Sequence, residues 1–127
     1  MILLDTDIMV DFLRDYEPAV SWLSSAEEHD FVLPGFVVME LIQGCRNRKE
    51  QELIKSKIST YWTIWPTSDM CEHALKTFTE NNLQNNLGII DALIGQMAVD
   101  LGVPLFTGNT KHYKCINGIR AEQPYKK

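Results

Sequence analysis

The chain has 127 residues, 45% of them hydrophobic, enough for one packed domain and not comfortably for two. Its longest apolar region, Phe31 to Ile42, is broken by Pro34, Gly35 and Glu40 and falls short of the roughly 18 to 20 apolar residues of a membrane span. A net charge of −5 gives no global attraction to nucleic acid, so such a substrate would have to be drawn by a local basic patch or a bound cation. Cys45, Cys71 and Cys115 are odd in number and lack C-x-x-C spacing, which argues against a disulfide framework and against a zinc site. The first residues carry no basic stretch and meet Asp5 almost at once, so a cytoplasmic rather than exported protein is expected.

In chain order, Ile2 to Leu4 is a continuous apolar run, as a buried parallel strand requires. Asp7 then stands where the N-cap of a helix over Ile8 to Leu13 would be. Pro18 suits the first turn of a second helix with Val20, Trp22, Leu23 and Ala26 on its apolar side. Phe31 to Leu33 reads as a strand, and Phe36 to Ile42 as a helix ending at Gly44. Arg46 to Lys57 continues as an amphipathic helix with Leu53, Ile54 and Ile58 inward. "YWTIWP" alternates like a strand and stops at Pro66, with Trp62 and Trp65 read as core and strand packing. Ser68, Asp69 and Glu72 mark a helix start, followed by Met70, Ala74, Leu75 and Phe78 at helical spacing. The polar "TENNLQNNLG" reads as a loop, Ile89 to Leu101 as an apolar helix ended by Gly102, and "VPLF" as a strand. "TGNTKHY" is a loop or single helical turn, and "INGI" a final turn and edge strand. Short strands alternating with helices predict an α/β domain spanning residues 1–127.

Sheets of this class gather functional groups at the carboxyl ends of their strands. Asp5 lies at such an end, Asp91 in the first turn of the long apolar helix, and Asn109 just past "VPLF". Glu40 is the single charge within Phe36 to Ile42, and a buried carboxylate needs a partner, of which a cation is the strongest. Each has an ordinary explanation too. Asp91 complements a helix dipole, Glu40 is within reach of Arg46 or Arg48, and Asn109 suits a turn. Asp7 reads as a cap and Asp11 as part of a solvated face beside Arg14 and Asp15. The joint placement of Asp5, Glu40 and Asp91 is what singles them out.

"LLDTDIMVDFLR", "VVMELIQG", "IIDALIGQMAVDLGVPLFTGNTKHY" and "INGIR" resemble, in order and spacing, the four segments of PIN-domain ribonucleases, and most of all the VapC toxins of toxin–antitoxin pairs. The resemblance implies a three-layer α/β/α fold around a mainly parallel sheet of about five strands. It also implies a carboxylate pocket for Mg²⁺ or Mn²⁺. Carried over by position, Asp5, Glu40 and Asp91 are the metal ligands and belong, with Asn109 and Thr107, to the catalytic set. Asn109 stands where many relatives have Asp; an amide oxygen brings no charge, so a second metal would be held more weakly. Hard oxygen ligands select Mg²⁺ or Mn²⁺ over zinc, and the expected chemistry is endoribonucleolytic hydrolysis by a metal-activated water, leaving 5′-phosphate ends. Thr6 or Thr107 would hydrogen-bond that water or a phosphate oxygen. Arg14, Arg46, Arg48, Lys49, Lys111 and Lys114 are the cations available to an RNA backbone, whereas His112 reads as a surface residue. The resemblance further implies a VapB-type antitoxin partner and a homodimer.

Two other readings compete. "LLDTDIMV" approximates the nucleophile loop of haloacid-dehalogenase-type phosphatases, with Asp5 phosphorylated and Asp7 as acid/base, but that loop prefers Thr or Val at the position of Met9 and the later Lys and acidic pair have no counterpart here. A non-catalytic PIN scaffold binding RNA or protein is made plausible by Asn109.

Overall fold

The computed structural model describes residues 1–26 and 30–127. Strand β1 (Ile2–Leu4) leads into α1 (Thr6–Leu13) and α2 (Glu17–Ser25), and β2 (Phe31–Pro34) into α3 (Gly35–Gln43) and α4 (Arg48–Ile58). Then come β3 (Trp62–Ile64), α5 (Ser68–Asn85), α6 (Ile89–Leu101), β4 (Leu105–Phe106), α7 (Thr110–Tyr113) and β5 (Ala121–Glu122). All strand pairs are parallel, in the order β3-β2-β1-β4-β5. Parallel neighbours need long crossovers, which the intervening helices supply. Right-handed crossovers put α1 to α4 on one face and α5 and α6 on the other, giving three layers. No helix among the described residues is long and apolar enough to cross a membrane.

The strands are short and apolar because both faces are covered: Leu3, Leu4, Phe31, Leu33 and Leu105 are fully buried. From the helices come Ile8, Met9, Val37, Ile94 and Met97. Trp22 of α2 stacks on Phe106 at 5.0 Å and tilts against Phe31 at 5.1 Å, tying β2 and β4 to one helix. Asn47 caps α4 by accepting from the Glu50 amide, and Thr67 caps α5 by accepting from that of Met70. Gly102 ends α6 at φ +69°, a left-handed cap that glycine adopts without strain.

Several expectations are corrected. The loop read over residues 79–88 is helical through Asn85. Its polar side chains bond back along the helix, Asn81 to the Thr77 carbonyl and Asn85 to Asn81, and the turn comes at left-handed Asn86. Leu83 there is 95% exposed, so no apolar face betrays the helix in the sequence. Leu53 is exposed on α4, whose buried contact is Ile58. Trp62 lies 70% exposed on edge strand β3, not in the core, while Trp65, also exposed, packs edge-on against Phe36. "INGI" is only a turn, and the edge strand is Ala121–Glu122.

Gly95 of α6 sits beneath α7 and the turn after it. A Cβ there would stand 2.4 Å from Ile116 Cδ1 and 3.3 Å from Tyr113 Cδ1, both in buried residues. Alanine gains about 1 kcal/mol in helix propensity, but relieving such a contact costs about 1 to 3 kcal/mol. Gly95→Ala should therefore lower the denaturation midpoint without changing the m value; a midpoint at or above wild type would mean that this contact is relaxed at no cost.

Candidate active site

The strand order reverses at β1: the chain builds outward through β2 and β3, then returns to add β4 and β5 on the other side. Such a switch point opens a crevice at the carboxyl ends of the two strands flanking it. Asp5 follows β1 and Thr107 follows β4, and the Asp5 amide donates to the Phe106 carbonyl at 3.0 Å. Here the acids gather around a cleft of about 380 Å³ lined by Asp5, Glu40, Asp91 and Asn109, with Asp7 and Asp11 beside them.

Asp5 is 8% exposed and every oxygen is engaged. Oδ1 accepts from the Thr6 amide at 2.8 Å, making Asp5 the N-cap of α1. Oδ2 accepts from the Thr107 hydroxyl at 2.8 Å and the Tyr113 hydroxyl at 2.9 Å. Burial pushes its pKa up to about 6, with the neighbouring charge of Asp7 adding to the rise; the hydrogen bonds from Thr107, Thr6 and Tyr113 oppose it. Tyr113 Oη also lies 3.2 Å from Asp91 Oδ1, and His112 Nε2 lies 2.6 Å from Asp91 Oδ2. Burial, then the charges of Asp5 and Asp91, drives the Tyr113 pKa far upward, so it remains a hydroxyl. On the other side Thr6 donates to Glu40 Oε1 at 2.7 Å. Asp5 and Asp91 thus share one tyrosine, and Thr6, next in chain to Asp5, holds Glu40.

Asp7 is not the cap expected of it. Its Oδ2 accepts from the Gly108 amide at 2.8 Å, while its buried Oδ1 has no hydrogen-bond partner among the described residues. Burial is the main cause of its raised pKa, which the Gly108 bond opposes. Asp11 is likewise no solvated residue: it is 7% exposed and accepts from Tyr125 and Lys127. Glu40 does not pair with Arg46 or Arg48; Arg46 pairs with Glu50. Thr107 is fully buried and its hydroxyl donates to Asp5, so in this structure it orients a carboxylate. Asn109 is exposed on the cleft, and its amide donates to Thr107 at 3.1 Å. Of the basic residues expected, Arg14 lines the cleft and Arg46 lines an adjoining groove; Arg48, Lys49, Lys111 and Lys114 are exposed and line neither. His112, expected on the surface, is partly buried against Asp91, and the sequence reading does not reach Tyr113 or Lys127. The dipeptide "HY" one turn past Asn109 is the local signal for the first two, neither residue type marks an acid's partner by itself, and Lys127 has no local signal.

The donor set is one of hard oxygens: carboxylates, an amide and hydroxyls, without a thiolate. In the observed conformation no three His, Cys, Asp or Glu side chains among the described residues are gathered as ligands of one ion. The orphaned, buried Asp7 Oδ1 and the several acids on one cleft nonetheless fit a divalent cation of the Mg²⁺ or Mn²⁺ kind, since clustered carboxylates repel one another without one.

The PIN domain family model matches residues 2–115. No curated protein sequence matches the chain. Similar solved structures include a toxin–antitoxin complex from Klebsiella pneumoniae, 24% identical over the whole of both chains with a TM-score of 0.81. Another is VapBC-1 from nontypeable Haemophilus influenzae, 21% identical over 99% of this chain and 100% of that one, TM-score 0.80. DNA-bound VapBC from Salmonella typhimurium is 19% identical over 98% of each chain, TM-score 0.82. At these identities the likeness is one of fold.

The raised pKa of Asp5 carries a sign. Between about pH 4 and about pH 6 the folded state holds this proton more tightly than the unfolded chain, so Asp5 subtracts stability as pH rises through that window. The gap corresponds to about 3 kcal/mol. Without divalent metal, Asp5→Asn should melt higher than wild type at pH 7 and lose the advantage below pH 4; a lower melting temperature at pH 7 would contradict the burial account.

Proposed function

The chain belongs to the PIN domain family, and from the cleft just described we propose that it is a Mg²⁺- or Mn²⁺-dependent endoribonuclease acting as the toxin of a type II toxin–antitoxin pair. The observation that carries the reading is the convergence of Asp5, Glu40 and Asp91, which come from β1's end, α3 and α6, on one cleft through Thr6 and Tyr113.

In this reading Asp5, Glu40 and Asp91 hold the ion. A hard divalent cation held there would neutralise the acids and supply Lewis acidity for phosphodiester hydrolysis. The remaining work belongs to the chain. Thr107 and Tyr113 keep Asp5 oriented toward the cleft, Thr6 sets Glu40, and His112 sets Asp91. Asn109 presents an amide at the rim, where it can donate to a phosphate oxygen and accept from water, and it adds no anionic charge to the cleft. No Ser, Cys or His nucleophile is required.

Similarity to toxin–antitoxin complexes supports an antitoxin of the VapB type as partner. A groove of about 600 Å³ adjoins the acidic cleft and shares Val10, Arg14 and Glu40 with it; Leu13, Leu41 and Ile54 give it an apolar floor. That continuity suits an antitoxin segment running from an apolar hold to the acids. A toxin homodimer and a cytoplasmic site of action complete the proposal. The phosphatase reading is set aside: the chain is a PIN domain, and an Asp5 enclosed by Thr6, Thr107 and Tyr113 is ill-placed to attack a substrate phosphate.

Purified protein incubated with total RNA and Mg²⁺ or Mn²⁺ should yield discrete fragments with 5′-phosphate ends, abolished by EDTA and lost in Asp5→Ala and Asp91→Asn. Cleavage persisting in both variants would overturn the assignment, and RNA binding without cleavage under either metal would favour a non-catalytic scaffold. Tyr113→Phe, which removes the hydroxyl and leaves the ring, should reduce cleavage about ten- to hundredfold while raising the metal concentration needed; an unchanged metal dependence would separate Tyr113 from the site.

A further inference from the structure

Asp11 is a buried carboxylate for which the proposed chemistry has no use. It lies one helical turn beyond Asp7 on α1, and both of its oxygens are taken by one short segment from the far end of the chain. Tyr125 donates its hydroxyl to Oδ2 at 2.7 Å, and Lys127 donates its ammonium to Oδ1 at 2.9 Å. Gln123 Nε2 donates to the Tyr125 carbonyl at 3.0 Å, bracing the turn after β5. The ring of Tyr125 leans on Tyr16 at 6.0 Å, and Lys127 Nζ stands 5.7 Å from the Tyr16 ring centroid, within cation–π range. Burial and Asp11 push the Tyr125 pKa upward, which keeps it a donor, and its bond to Asp11 raises that of Lys127.

This two-point hold ends at the acidic cleft. Lys127 lines it, and with Arg14 it is one of two cations on a wall that carries five carboxylates. The Lys127 side chain remains 58% exposed while that of Asp11 is 10% exposed, so the anchor is buried and the charge is not. An ammonium has three donors. Asp11 takes one, leaving two for an incoming acceptor. Tyr125 already gives the buried Asp11 a donor, and the lysine end of the pair lies in solvent, where an ion pair adds little to stability, so Lys127 is better matched to placing a cation than to holding the fold.

We propose that residues 123–127 form a strap that fixes Lys127 at the rim of the acidic cleft, where its ammonium binds a backbone phosphate of the single-stranded RNA being cut. The inference rests on the nuclease reading of the cleft. It assigns the strap a positioning role in substrate binding: RNA approaching five carboxylates needs a fixed positive point beyond the ion itself, and a lysine latched through its neighbour meets that need without losing its freedom each time RNA binds.

The test is fluorescence anisotropy of a labelled single-stranded RNA with Mg²⁺ over a range of KCl. All proteins carry Asp91→Asn, which the nuclease reading makes non-cleaving. Lys127→Gln should weaken binding about fourfold near physiological salt and flatten the plot of log K against log salt by about 0.7, as loss of one single-strand phosphate contact demands. Lys127→Arg should restore both, and Tyr125→Phe, which changes no charge, should weaken binding by less. Lys127→Gln, at an exposed side chain, should melt at the parent value, whereas Tyr125→Phe leaves the buried Asp11 one donor short and should melt lower. Unchanged affinity and slope in Lys127→Gln would overturn the strap, and so would tighter binding, which would make the segment a blocker. Parent protein that binds no RNA would sink the strap, while the nuclease reading would still be judged by cleavage with the native chain, because Asp91→Asn removes one of the proposed metal ligands. RNA binding by the parent that Lys127→Gln leaves untouched would sink the strap alone, with the cleavage assay of the otherwise native chain still judging the reading on which it rests.

Discussion

One phenolic hydroxyl lies between two carboxylates brought together from distant parts of the chain: Tyr113 Oη is 2.9 Å from Asp5 and 3.2 Å from Asp91. A hydroxyl has one proton and can donate it to one of them at a time. The other contact then sets lone pair against lone pair until a cation or a second proton lies between. Burying Asp5 raises the same demand, because its charge has left water without gaining a full counter-charge from the chain. The neighbouring arrangement follows from that constraint. Thr107 and the Thr6 amide offset part of the burial of Asp5, the Gly108 amide does so for Asp7, and Thr6 couples Glu40 to the same point.

The constraint is met by where the sheet reverses. A parallel sheet built outward from β1 in two directions leaves a crevice beside its central strand, and Asp5 and Thr107 emerge there because each follows its strand at once. Positions at the ends of short, doubly covered strands move little, since Leu3, Leu4 and Leu105 are fully buried. Gly95 adds to this by letting α7 settle against α6, which seats Tyr113 over the acids. The core therefore acts on the site directly: the packing that stabilises the fold also fixes the distances between carboxylates.

The same cleft is asymmetric in charge. Its inner wall is acidic and suits a hard cation; its rim carries Arg14 and a strapped Lys127, and beyond Arg14 it opens into an apolar groove. Under the proposed function, ion, nucleic acid and protein partner would each meet a different surface: oxygen donors, an exposed ammonium, and a hydrophobic floor.

Local pattern was enough for most elements. Ile2 to Leu4, Pro18, Asn47, Thr67 and Gly102 act through their immediate neighbours, by continuous hydrophobicity, a fixed φ, a capping oxygen or a left-handed turn, and such effects are legible wherever the residues stand in order. The placement of Asp5, Glu40, Asp91 and Asn109 was legible for the same reason, as each sits at a strand end, a helix start or alone in an apolar run. What the sequence could not disclose was partnership. Asp7 reads as a cap and Asp11 as a solvated face until the loop after β4 and residues 125 and 127 close on them from more than 100 positions away. The end of α5 was hidden too, because a helix with no apolar face on its last turns is held by side-chain bonds along itself and has no periodicity to read. The sequence by itself determined which residues can form strands, caps and oxygen ligands; only the tertiary structure decided which of them share a proton, a cleft or a strap, because hydrogen bonding and desolvation depend on distance in space and not along the chain.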